Sequence, residues 1–225
     1  YCHVNNTYVY SATQLQLVNS ANRSEYIARI DRAIETAQKL IAMSPATLTV
    51  YHERYKQYLA QFLDTKAWLI YLTADPGDAA TYLGELEEAR RLIAEEALKH
   101  DQDSAILYYH LTRLHLTMLE RLWQSTELEA QNLLAARKAM VIDDHLTKAL
   151  RYWLNAARCD HNRRFRDRLT WIGRKLHRYR TAWNERHFRT FSGTAEEPSS
   201  EWTKLIEVLQ EWRQPDRSRR GKSPL

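Results

Sequence analysis

The chain has 225 residues, with 33 Lys and Arg against 28 Asp and Glu, and only 5 Gly and 5 Pro. That length suits one large domain or two small ones with a substantial core, and few breakers amid abundant Leu, Ala, Glu, Arg and Lys argue for helices with short connections and against a sheet. The net charge of +5 is uneven: 16 basic against 19 acidic residues over 1–157, 11 against 3 over 158–189, and 6 against 6 beyond, so any charge-driven contact belongs to 158–189.

The chain starts at Tyr1 rather than Met, which reads either as a processed or excised piece of a longer chain or as numbering that omits residues upstream. Its two cysteines, Cys2 and Cys159, form neither a disulfide framework nor a zinc spacing. No signal-peptide pattern occurs, and no run reaches the roughly 18 apolar residues of a membrane span. A cytoplasmic protein is the expectation.

Residues 1–20 hold Tyr8, Tyr10, Leu15, Leu17 and Val18, enough for a short helix. A strong helix follows over 25–43, where Ile27, Ile30, Ile34, Ala37 and Ile41 step by three and four; Ser44-Pro45 ends it. The next helix, 46–63, carries an aromatic stripe of Tyr51, Tyr55, Tyr58 and Phe62. Such a stripe can be a ligand-stacking groove, but helical spacing favours core packing. Residues 64–72 continue this helix or restart it. Residues 73–78, with Pro76 and Gly77 together, form the clearest turn, and Asp78 is placed to cap a helix over 79–100.

A polar joint, Asp101-Gln102-Asp103, then leads into a helix over 104–122 whose apolar face is Leu107, Leu111, Leu114 and Met118. Short joints favour antiparallel neighbours. Residues 127–142 form an alanine-rich helix. Asp143-Asp144-His145 resembles the earlier joint, and another helix runs over 145–158.

Pieces of 25–158 are similar to the tetratricopeptide repeat, in which a helix ends on a small residue, a short joint follows, and the next helix carries large-x-x-Leu-Gly-x-x-Tyr. Ala97-Leu98-Lys99-His100-Asp101 resembles the end of one family helix, and Tyr108, Leu111, Thr112 and His115 fall at the large, Leu, Gly and Tyr positions of the next. Ala33 with Pro45 is a second partial match; Ala139 to Asp143 followed by Lys148-Ala149-Leu150 is a third. Gln102, Thr112 and His115 depart from the family's proline, glycine and tyrosine, and no clean 34-residue period can be written. The resemblance implies an all-α fold: antiparallel helical hairpins stacked as a right-handed, tetratricopeptide-like array over residues 1–190.

The array would end on a long basic C-terminal helix over 162–189. Phe165, Leu169, Ile172, Leu176, Tyr179 and Trp183 make its core stripe, while Arg164, Arg168, Lys175 and Arg178 lie off that stripe with Trp171 between them; Arg163, Arg166, Arg174 and Arg180 add charge. This face can be the solvated end of a stack, a contact for an acidic protein segment or neighbouring domain, or a phosphate-binding surface aided by Trp171 and His177. Residues 191–200 read as a linker. Residues 201–213 make a short amphipathic helix with Trp202, Leu205, Ile206 and Leu209 on one side, expected to dock on the body. Residues 214–225 form a basic tail expected to be mobile.

No Gly-rich phosphate loop, His-Glu-x-x-His pair, Gly-x-Ser-x-Gly elbow or Cys-x-x-Cys occurs. Cys159-Asp160-His161 sets a thiol and an imidazole two residues apart, a spacing that does not face them together on a helix. No catalytic residue, cofactor or metal is therefore expected. The sequence points to a non-enzymatic interaction or scaffold module within a larger assembly. It would bind another protein, or other domains of its parent chain, through Arg164, Arg168, Trp171, Lys175 and Arg178, with nucleic acid as the alternative ligand of that face.

Overall fold

A computed structural model describes residues 22–43, 49–126, 134–190 and 200–213. Within them the chain is all-helical, without strands: α1 (Arg23–Met43), α2 (Thr49–Thr73), α3 (Ala79–Arg91), α4 (Ala105–Thr126), α5 (Leu134–Cys159), α6 (Arg166–Thr190) and α7 (Ser200–Arg213). No described helix is long and apolar enough to cross a membrane. The expectations for 1–20, for the linker before α7 and for the tail after residue 213 lie outside the described residues. The contacts cluster into two compact units, Tyr1–Leu114 and His115–Leu225, so the division falls within α4.

In the first unit α1 packs along α2, which also contacts α3. Tyr26, Ile30, Ala33, Ile34 and Ala37 are the buried face of α1, set by three- and four-residue steps. α2 runs unbroken from Thr49 to Thr73, so 64–72 continues the helix. Its aromatic stripe sinks gradually: Tyr51 is 53 % exposed, Tyr55 and Tyr58 are half-buried, and Phe62 is buried.

Asp78 caps α3 by accepting from the Ala80 N–H at 3.2 Å and the Thr81 hydroxyl at 2.5 Å, and these donors hold its carboxyl below the usual range. Beyond Arg91 the helix widens into a π-turn, Leu92–Glu96, then tightens into Ala97–Lys99. Arg90 and Arg91 each reach a carboxylate five residues on, Glu95 and Glu96, both at 3.3 Å, matching the π register. From α4, His110 Nδ1 lies 2.7 Å from Asp64 Oδ1 of α2, its ring stacked on Trp68 with centroids 4.1 Å apart. Both members of this pair are buried.

In the second unit α5 packs on α6, and α7 packs on both. Here one expectation is corrected. Asp143-Asp144-His145 is not a joint, because α5 passes straight through it. Ile142 and Leu146, one turn apart, are fully buried and keep the helical stripe going. The polar triplet finds side-chain partners instead: Asp143 accepts from Arg180 at 2.9 Å, Asp144 from Lys148 at 2.7 Å, and His145 Nδ1 lies 2.9 Å from His115 Nδ1. With no glycine or proline in the triplet, nothing forces a turn.

Candidate functional site: the outer face of α6 and the groove against α7

The chain reverses between Cys159, the end of α5, and Arg166, the start of α6. The Asp160 carboxylate accepts from the Arg164 and Phe165 N–H groups, each at 2.9 Å, and so satisfies two amides of the turn that leads into α6. Arg163 takes φ 54° in this reversal, a region where its Cβ is crowded. Helix α6 then presents two faces. Leu169, Ile172 and Leu176 are fully buried, with Phe165, Tyr179 and Trp183 half-buried along the same stripe, as the spacing predicts.

Three features lock this stripe. The buried Trp153 indole of α5 donates to the Leu169 carbonyl at 2.7 Å. Gly173 faces Trp153 and Leu209 so closely that an added Cβ would meet the indole at 2.9 Å and the leucine methyl at 3.1 Å. Trp202, Leu205 and Leu209 bury α7 against the unit, so this short helix docks on its own chain.

The opposite face of α6 carries the candidate set. Arg164, just before the helix, and Arg168, Trp171 and Arg178 are exposed. Lys175 differs: it pairs with Glu120 of α4 and holds its ammonium 5.1 Å from the centre of the Trp171 ring, so its charge is engaged within the unit. Tyr179, one turn on, has its hydroxyl pKa pushed up to about 12, first by burial and then by the charge and hydrogen bond of Glu120. Arg180 is likewise engaged, with Asp143. Arg168, Arg174 and Arg178 have no carboxylate partner among the described residues.

Between α6 and α7 lies an open groove of about 570 Å³. One wall is Trp171, Arg174, His177 and Arg178; the other is Ile206, Leu209 and Gln210, with no acidic side chain in either among the described residues. The structure thus brings Trp171 and Arg178 into one groove, leaves Arg164 and Arg168 further toward the start of the helix, and turns Lys175 inward. Arg174 and His177 enter in its place. The steps from Trp171 to Arg174 and on to Arg178 already mark one helical face, and that signal could have found Arg174. The α7 wall is invisible from α6 alone.

Among the described residues no group of three or more His, Cys, Asp or Glu could hold a metal ion. Cys159 lies half-buried at the end of α5, and His161 is exposed in the reversal. No family model, curated protein or solved structure matches the chain.

Proposed function

We propose that this chain is a non-enzymatic protein-interaction module that binds an acidic protein partner through the exposed basic face of α6. The observation that carries the reading is the state of Arg168, Arg174 and Arg178: exposed on one helix, flanking an exposed Trp171, and without carboxylate partners among the described residues. Arginine and tryptophan are the side chains that most often dominate interface energetics. Helical hairpins resembling degenerate tetratricopeptide repeats would form the scaffold behind this face, in a reducing cytoplasm. The exposed indole among arginines also suits nucleic acid as a second reading, by base stacking and phosphate pairing.

Affinity capture with the full chain separates the two. Bait with the native face and bait carrying Arg164→Glu, Arg168→Glu and Arg178→Glu are compared, each with and without nuclease. Protein partners should be lost on charge reversal and retained after nuclease. An unchanged set on the reversed bait, or loss on nuclease treatment, would contradict a protein-binding face.

A further inference from the structure

If the exposed face of α6 binds protein, the groove beside it narrows the class of partner. Resting on that protein-partner reading, we infer that the α6–α7 groove takes a short acidic segment of another protein that carries one large apolar side chain. Its carboxylates pair with Arg174 and Arg178, while the apolar side chain seats against Trp171, Ile206 and Leu209.

Charge and shape together lead there. A purely electrostatic face needs no cavity, yet this one borders a groove within the size range of specific ligand sites. A large aromatic left 56 % exposed at its mouth, facing a half-buried isoleucine and a leucine, leaves apolar surface for an incoming side chain to cover. The arginines at the rim lack carboxylates of their own among the described residues, so a partner supplies them. Arg guanidinium groups suit that role because they grip carboxylates in a fixed two-pronged geometry.

The second wall argues against a phosphate backbone. Opposite the arginines the groove is lined by Ile206, Leu209 and Gln210, which offer no cation to a strand charged at every nucleotide. A peptide concentrates its charge at chosen side chains, so it can direct its carboxylates toward α6 and an apolar side chain toward this wall.

The test is a selection of random dodecapeptides on the full chain, counter-selected against Arg174→Glu/Arg178→Glu. Enriched peptides should combine Asp or Glu with one Trp, Phe or Leu. A synthetic peptide of that consensus should lose about tenfold in affinity on Arg174→Gln/Arg178→Gln, on Trp171→Ala, or when its own apolar residue becomes Ser. Helix content by circular dichroism checks that each variant is folded. No enrichment over the charge-reversed chain, a consensus without acidic residues, or tighter binding of an oligothymidylate than of the peptide overturns the inference. So does tighter peptide binding by Glu196→Gln/Glu197→Gln, which would give the groove to this chain's own segment between α6 and α7. If charge reversal abolishes binding but loss of the peptide's apolar residue changes nothing, the groove assignment falls while the acidic-partner reading stands. If charge reversal changes nothing, both fall.

Discussion

Gly173 offers a sharp test of the packing that holds α6 in place. At an open helix position alanine is favoured over glycine by about 0.5–1 kcal/mol, because glycine loses more backbone freedom on folding. Gly84 in α3 is such a position, exposed and with nothing within 4 Å of an added Cβ, so Gly84→Ala should stabilise by that amount. At Gly173 the same methyl lands 2.9 Å from the Trp153 ring and 3.1 Å from a Leu209 methyl. The indole has little room to retreat: it is fully buried and tied to the Leu169 carbonyl at 2.7 Å. Overpacking of this kind costs roughly 1–3 kcal/mol and works against the propensity gain. The two substitutions should therefore differ by about 1–3 kcal/mol, with Gly173→Ala the less stable. Urea denaturation followed by circular dichroism and tryptophan fluorescence measures both. Equal stabilisation by the two alanines would refute the close approach of α5, α6 and α7.

Three further outcomes come from the geometry. His110→Leu leaves the Asp64 carboxylate buried without its imidazole and should cost about 3–5 kcal/mol, whereas the double variant Asp64→Leu/His110→Leu should recover much of that loss in the same denaturation assay; a double variant worse than the single would contradict a coupled pair. Asp144→Pro should destabilise by about 3 kcal/mol or more, because proline removes an intrahelical N–H and clashes with the preceding turn, while a true joint at 143–145 would tolerate it. The hydroxyl of Tyr179 ionises at about 12 in the folded chain, above its ordinary value of 10, so its contribution to stability is full below pH 10 and is lost as pH rises through 12. Tyrosinate absorbance should lose a late-titrating component in Tyr179→Phe, and that variant should lose less stability across this alkaline window.

What the sequence reveals is what lies within one helix. The stripes of α4 and α6 could be read because three- and four-residue steps are local, and Leu107, Leu111, Leu114, Leu169, Ile172 and Leu176 are all buried. Asp78 could be named as a cap because the cap contacts lie within three residues of it. Asp143-Asp144-His145 misled because a polar triplet is equally a turn or a helical surface, and the choice depends on Arg180 and His115, remote in sequence. Lys175 looked like part of an open face because its partner Glu120 lies on another helix. The groove needed both α6 and α7 in place, so half of its wall could not be inferred from the basic helix.

The most direct test of the α6 face is arginine footprinting of the full chain with a dicarbonyl reagent, read by mass spectrometry with and without the bound consensus peptide. Arg174 and Arg178 should be protected in the complex, while Arg32 of α1 and Arg54 of α2, exposed elsewhere, label at the same rate in both samples. Unchanged labelling of Arg174 and Arg178 in a saturated complex, or protection falling on Arg32 or Arg54 instead, would contradict binding at this face.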